Sequence, residues 1–360
     1  HIFKYMELGK AKILVVDDTK MNIEVLEGIL SKNYEVCVAL NGKKALILAE
    51  KVKPDLILLD VMMPEMDGYE TLRQMRAKGL VENTPVIFLT AKADDESQQM
   101  GLDLGAVDYI SKPFNPELVN LRIKNQLEFK HQRDNLQDIV DERTVDLRKT
   151  LDVMLTTLGS LAEHRDTDTG EHIKRTQVLV RMLAEKLRYH PRFVEFIPNQ
   201  EYIDYYADAA PLHDIGKVGI PDEILHKPGR LDPDEREKMS EHPQIGYDVL
   251  MRASRELGER PLIKIAADIT LYHHERWDGL GYPTRKVGDD IPVGARLMAV
   301  ADVYDALVSR RPYKEPFPHE VAVAEIAKGK GTQFDPDVVD AFMDIESQLP
   351  SIYEKFSDAK

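Results

Sequence analysis

The amino-acid sequence predicts a multidomain chain in which an α/β domain, built on a doubly wound parallel five-stranded sheet, precedes an all-α domain. Three observations carry this reading. Over residues 10–125, short runs of Val, Ile and Leu alternate with amphipathic helical patterns. From Pro116 to about residue 162 no turn cluster interrupts a mixture of charges and apolar positions. Nine of the eleven histidines lie beyond residue 160, so the second half is expected to carry a different chemistry from the first.

The strands are expected at residues 13–16, 36–40, 56–59, 86–89 and 109–110. Apolar runs that are continuous, rather than alternating, belong to strands buried on both faces, as in a parallel sheet covered by helices. Ligands of such sheets sit at the carboxyl ends of the strands. The polar residues placed there are Asp17, Asp18, Asp60, Thr90 and Lys112. Three carboxylates at one edge repel one another unless a cation joins them, and hard oxygen ligands suit magnesium. Asp60 is then a candidate nucleophile toward phosphorus, with the metal and Lys112 neutralising the incoming group.

A long helix follows. Leu147, Leu151, Met154, Leu158 and Leu161 recur at alternating four- and three-residue spacing, a heptad seam, and Phe129, Leu136 and Val140 continue it in a slightly different phase. The seam calls for a second copy, giving a homodimer, or for the chain's own second domain; the homodimer is the expectation. The expected boundaries are 10–125 for the α/β domain, 126–154 for the helical linker and 155–350 for the helical domain.

In the helical half, Asp232 before Pro233 and Asp335 before Pro336 are N-cap and first-turn pairs that open helices. Its chemistry lies in His213-Asp214 with Gly216-Lys217, then His242, His273-His274 and Gly281-Tyr282-Pro283. Neutral imidazole and carboxylate suit divalent transition metals, and this set exceeds the needs of one ion. Two metals sharing a carboxylate and a bridging water clamp phosphorus for in-line attack, so a phosphate-ester hydrolase is expected. His213 and Asp214 are expected on one helix, about 100° apart. Lys217, one turn further on, is placed either to contact a phosphate oxygen or to protonate the departing sugar oxygen. Asp302 follows an apolar run at 295–300, and a carboxylate buried there needs a partner such as a metal.

These blocks resemble the HD-GYP branch of the HD superfamily of metal-dependent phosphohydrolases, over roughly residues 155–345. The resemblance implies hydrolysis of cyclic di-GMP to pGpG, with metal ligands His172, His213, Asp214, His242, His273, His274 and Asp302. Asp214 would bridge; His172 and Asp302 would share one metal with His213, and the other three histidines would hold the second, the metals being Fe, Mn, Ni or Co. Arg311 and Lys314 match positions that hold substrate phosphates. Tyr282, in the Gly281-Tyr282-Pro283 loop, is either a guanine contact or a structural aromatic. The chain departs from the family at Thr284-Arg285-Lys286-Val287, where a second glycine turn is common. Some members hold a third metal through a glutamate four residues before the first histidine ligand, where this chain has Asp168. Aspartate reaches about 1.5 Å less, and Asp168 also precedes Glu171 at capping-box spacing. Two metals are therefore expected, with Asp168 as a cap or an outer acceptor.

The first domain resembles a bacterial response-regulator receiver. That likeness assigns Asp60 as phosphoacceptor, Asp17, Asp18, Asp60 and the backbone carbonyl of Met62 as magnesium ligands, and Thr90 and Lys112 (before Pro113) as switch residues. Tyr109 is either the family's rotamer-changing aromatic or a core residue.

The formal net charge of −15, from 63 acidic and 48 basic side chains, opposes a DNA footprint, which needs a basic face. No apolar run reaches membrane-span length and nothing at the start reads as a signal peptide, so a cytoplasmic protein is expected. The single Cys37 excludes an internal disulfide. Together these point to a two-component response regulator, phosphorylated at Asp60 by a sensor histidine kinase, that hydrolyses cyclic di-GMP to pGpG and possibly pGpG to GMP. The alternatives are a hydrolase acting mainly on pGpG or another nucleotide, or a signalling adaptor that binds partners through the helical domain. The complete ligand set argues against the adaptor.

Overall fold

The computed structural model describes residues 10–91, 101, 103–164, 171–258, 260–309 and 315–356. The chain divides into two compact units, His1–Thr144 and Val145–Lys360.

In the first unit, β1 (Lys12–Val16), β2 (Glu35–Ala39), β3 (Leu56–Asp60), β4 (Val86–Thr90) and β5 (Asp108–Ser111) form a parallel sheet in the order β2-β1-β3-β4-β5. Both faces are covered. Leu14, Val16, Ile57 and Leu59 pack with Ala45 and Leu72, from α2 (Gly42–Val52) and α3 (Gly68–Ala77). Ile13, Val15, Leu56 and Leu58 pack on the opposite face with Ile23 and Leu26 of α1 (Lys20–Leu30). That two-sided burial is why the central strand β3 is apolar at every position up to its terminal aspartate. Asn41 and Asp67 cap α2 and α3, each accepting a backbone N–H three residues on. Cys37 is only half-buried.

Helix α4 (Pro116–His164) runs for 49 residues. It begins well before the expected linker, because Val119 and Ile123 belong to the core of the first unit. From Val145 on the helix belongs to the second unit, where one face joins its core. Ala162 is buried there, Leu155 packs on the core, and a side chain at Gly159 would meet the Pro211 carbonyl oxygen at 2.3 Å. The heptad seam lies on another face of the helix: Leu147 is 70% and Leu161 60% exposed.

The regular elements among the described residues of the second unit are helices, apart from one bridge between Lys330 and Phe334. In order come α5 (Glu171–Leu187), α6 (Gln200–Ala209), 3₁₀ turns at Ala210–Leu212 and Ile215–Gly219, α7 (Asp222–Leu225), α8 (Pro233–Met239), α9 (His242–Leu257) and α10 (Pro261–Tyr272). After the loop come α11 (Val293–Val308), α12 (His319–Lys328), α13 (Pro336–Ile345) and α14 (Leu349–Glu354). Asp232 and Glu235 form a reciprocal capping box on α8, and Asp335 caps α13 by accepting the Asp337 N–H. The core joins Leu179 and Leu183 of α5 to Ile269, Leu297, Tyr304 and Phe342. No described helix is long and apolar enough to cross a membrane.

Candidate metal centre

The backbone around His213 and Asp214 differs from the single helix expected. Pro211 cannot donate the N–H that would continue α6, and its ring opposes the preceding turn. The chain instead tightens into the first 3₁₀ turn, which His213 ends, and Asp214 (φ −103°, ψ 12°) stands between that turn and the next. Gly216 lets this segment press backbone to backbone on the start of α9: a Cβ there would lie 1.9 Å from the His242 carbonyl oxygen.

This packing brings seven side chains from five parts of the unit into two groups: His172, His213 and Asp302, and Asp214, His242, His273 and His274. Within each group the ligand atoms all lie within 4.8 Å of one another. Asp214 turns one oxygen to each group. Its Oδ1 is 3.1 Å from His242 Nε2 and 3.5 Å from His273 Nε2, while Oδ2 is 3.4 Å from His213 Nε2 and 2.8 Å from Lys217 Nζ. His172 Nε2 lies 3.7 Å from Asp302 Oδ1.

Three imidazoles are held by their far nitrogens. His213 Nδ1–H donates to Ala210 O (2.9 Å), His242 Nδ1–H to Met239 O (2.7 Å), and His273 Nδ1–H to Ile269 O and Thr270 O (3.1 and 3.0 Å). A carbonyl only accepts, so each proton sits on Nδ1 and each Nε2 keeps its lone pair. Those three Nε2 atoms and Asp214 Oδ1 are buried without a hydrogen bond. Buried lone pairs facing one another cost free energy, and a divalent cation in each group would satisfy them. The residues thus fit transition metals in both donor type and arrangement.

Burial opposes ionisation of Asp214, yet Lys217 and the neighbouring histidines hold its carboxyl well below the usual range. Burial depresses His273, and with His273 beside it depresses His274 further, keeping both rings neutral as metal ligation requires.

The loop after α10 folds back on this cluster. Tyr282 stacks on His274, with centroids 4.7 Å apart and planes 25° apart, and burial raises its hydroxyl pKa. Gly281 is required by contact, since a Cβ would lie 2.5 Å from Glu275 Cα and 2.6 Å from His274 O. The Tyr282-Pro283 peptide is cis. Thr284, at the departure from the family pattern, donates its N–H (2.7 Å) and its hydroxyl (2.8 Å) to Glu275 Oε1. Arg311, Lys314 and Asp168 lie outside the described residues.

Several supporting residues were not anticipated. Asp305, 1% exposed, accepts the His172 Nδ1–H at 2.7 Å and a two-pronged contact from Arg175. The signal was present as spacing: Asp305 is one turn beyond Asp302, and Arg175 one turn beyond His172. Glu275, adjacent to His274, went unremarked because it reads as part of a charged loop.

At the carboxyl edge of the sheet, Asp17 and Asp60 are buried and Asp18 is exposed, and their oxygens lie within 4.8 Å of one another. Lys112 Nζ bridges Asp17 Oδ2 (2.8 Å) and Asp60 Oδ2 (2.9 Å). Asp17 is further fixed by the Thr19 N–H and the Asn22 amide. Burial pushes the Asp60 carboxyl up, against the pull of Lys112. Thr90 ends β4 and its carbonyl accepts the Lys112 N–H at 2.7 Å; the Lys112-Pro113 peptide is cis. Met62 points its side chain into solvent, 75% exposed. Tyr109 is half-buried and stacked on Phe88, 5.7 Å between centroids.

Comparison with known proteins agrees with this division. The chain matches the response regulator receiver domain over residues 13–124 and the HD domain over 198–338. It is 45% identical over 360 residues, 98% of this chain and 81% of the relative, to a probable cyclic di-GMP phosphodiesterase of Vibrio cholerae serotype O1. A cyclic di-GMP phosphodiesterase of Thermotoga maritima is 37% identical over 361 residues, 96% of this chain and 93% of the relative. The cyclic di-GMP phosphodiesterase response regulator RpfG of Xanthomonas campestris pv. campestris is 37% identical over 326 residues, 88% of this chain and 82% of the relative.

Proposed function

This chain belongs to the family of response regulators that join a receiver domain to an HD-type, metal-dependent cyclic di-GMP phosphodiesterase domain, and from that premise we propose how its own residues perform and control the reaction. The substrate is cyclic di-GMP, opened at one 3′–5′ phosphodiester to linear pGpG, with further hydrolysis of pGpG to GMP. The observation that carries this is the convergence of four buried, unpartnered lone-pair atoms, on His213, Asp214, His242 and His273.

Two divalent ions from among Fe, Mn, Ni and Co fit the site. His172, His213 and Asp302 would hold one, His242, His273 and His274 the other, and Asp214 both. When bound, they would supply Lewis-acid polarisation of the phosphoryl group and activation of water as the nucleophile. The protein's part is to keep His273 and His274 neutral, to aim the imidazoles through their Nδ1–H bonds, and to keep Asp214 charged. Lys217, 2.8 Å from Asp214 Oδ2, stands at the edge of the cluster, where its ammonium can hold a phosphate oxygen or give a proton to the departing sugar oxygen. Gly281, Tyr282 and Pro283 form one wall for the guanine, and Arg311 and Lys314 hold phosphates. The centre holds two ions.

In the receiver, Asp60 takes phosphate from a sensor histidine kinase, with magnesium held by Asp17, Asp18, Asp60 and the Met62 carbonyl. Lys112, already on Asp60, stabilises the added charge, and Thr90 and Tyr109 respond to it. The exposed heptad seam of α4 pairs two copies into a homodimer, and the protein works in the cytoplasm.

The test is to load the protein separately with each metal, supply cyclic di-GMP and pGpG in separate reactions, and resolve the products by chromatography. Conversion of cyclic di-GMP to pGpG supports the proposal. Turnover of pGpG alone would make this a second-step hydrolase, and turnover of neither would leave an adaptor.

A further inference from the structure

His172 is held differently from the three histidines whose Nδ1–H groups meet backbone carbonyls. Its Nδ1 lies 2.7 Å from Asp305 Oδ2, a carboxylate instead of an amide oxygen. Asp305 is itself immobilised. Oδ1 accepts from Arg175 Nε at 2.7 Å, and Oδ2 accepts from Arg175 Nη2 at 3.0 Å and from Ser309 Oγ at 3.1 Å. Arg175 Nη2 also donates to Ser309 Oγ at 2.9 Å, which closes the arrangement. With both oxygens occupied in this way, Asp305 does not turn toward the cluster as a ligand.

The layout repeats on two helices. His172 and Arg175 are one turn apart on α5, and Asp302 and Asp305 one turn apart on α11. On each helix the first residue faces the cluster and the second belongs to a buried ion pair behind it. We propose that Asp305, clamped by Arg175 and Ser309, is a positioning residue that fixes the Nδ1–H tautomer and ring angle of His172, and so controls metal occupancy of the His172, His213 and Asp302 half of the centre selectively. This rests on the metal-centre reading above. A charged acceptor makes a stronger bond to imidazole N–H than a carbonyl does and raises the donor strength of the opposite nitrogen. Carbonyl-backed His242 and His273 lack that reinforcement, so the two halves respond unequally to its loss.

The experiment compares wild type with Asp305→Asn, which keeps the shape and an acceptor oxygen but removes the charge. Chelator-stripped protein is titrated with Co²⁺ alone and binding is followed by visible absorption. The tautomer of His172 is read in the stripped protein from two-bond ¹⁵N–¹H spectra of ¹⁵N-histidine-labelled samples. The expected result is a 10- to 100-fold weaker affinity, about the loss seen when such outer partners are removed, for one Co²⁺ equivalent. The second equivalent is unchanged, and His172 loses its pure Nδ1–H signature. Should Asp305→Asn not fold, Ser309→Ala removes one hydrogen bond to Asp305 and is expected to weaken the same equivalent by a smaller factor, about threefold. Wild type that binds two equivalents while the variants bind both unchanged, with His172 still wholly Nδ1–H, overturns this proposal and spares the metal-centre reading. Equal weakening of both equivalents also overturns it. Wild type that binds no Co²⁺ overturns both.

Discussion

Gly216→Ala tests the packing that assembles the centre. The added Cβ would lie 1.9 Å from the His242 carbonyl oxygen, 2.6 Å from Gly246 N and 2.9 Å from the His242 carbonyl carbon, all backbone atoms of α9. Ordinary contact begins near 3.4 Å, so the 3₁₀ segment and α9 must separate by about 1.5 Å, the difference between the two distances. Metal–ligand distances tolerate only about 0.2 Å. His242 Nε2, 3.1 Å from Asp214 Oδ1, would therefore be carried out of joint reach of an ion. Overpacking of this kind costs about 1–3 kcal/mol of stability, and an ångström of misplacement costs about 100-fold in rate. Thermal melting, metal content after gel filtration and turnover of cyclic di-GMP read the three effects. Gly28→Ala, on the exposed face of α1 with nothing within 4 Å of the new methyl, serves as the control and should gain about 0.5–1 kcal/mol. A Gly216→Ala protein with wild-type melting, metal content and rate would refute the argument that backbone contact at Gly216 sets the ligand geometry.

Replacing His213 and Asp214 together by Ala removes a terminal ligand and the bridge, so hydrolysis should vanish and bound metal fall; full metal content with normal turnover would place the site elsewhere. Acetyl phosphate with magnesium should add one phosphate to wild type and none to Asp60→Asn, as read by intact mass; equal uptake by both would exclude Asp60 as acceptor. Asp208 supplies a pH test, because burial raises its carboxyl to about 6. The folded chain thus keeps a proton that the unfolded chain releases from about pH 3.9 upward, and stability from this group is lost as pH rises from about 4 to about 6. The penalty at pH 7.5 is on the order of 2 kcal/mol, reduced by the residual exposure of the side chain. In urea denaturation Asp208→Asn should gain on wild type between pH 4.5 and 7.5, and a constant difference would contradict the assignment.

Much of the fold was legible because its causes are local or periodic. Continuous apolar runs such as Leu56 to Leu59 have one economical burial, between two helical layers, and the alternation of run and helix leaves little choice but a parallel sheet. The unbroken stretch from Pro116 announced α4 for the same reason. The break between His213 and Asp214 was not legible, although Pro211 hinted at it, since the backbone contact at Gly216 exists only once α9 is in place. The stacking of Tyr282 on His274 depends likewise on the loop folding back through Gly281. Asp305 and Arg175 escaped because a charged residue on a helix is ordinarily a solvated one. Their partners are separated by 133 and 130 residues in sequence and meet only when α5 and α11 pack. The ligand types followed from the residues themselves, and their grouping from the family resemblance; the hydrogen bonds that aim them came from tertiary structure.

The most direct measurement is the rate of cyclic di-GMP hydrolysis by chelator-stripped protein as Mn²⁺ or Fe²⁺ is restored stepwise. A centre of two ions joined by Asp214 predicts no turnover without metal and a rate that reaches its plateau at two equivalents per chain. Full activity in the stripped protein, a plateau at one equivalent, or no pGpG formed at any loading would contradict it.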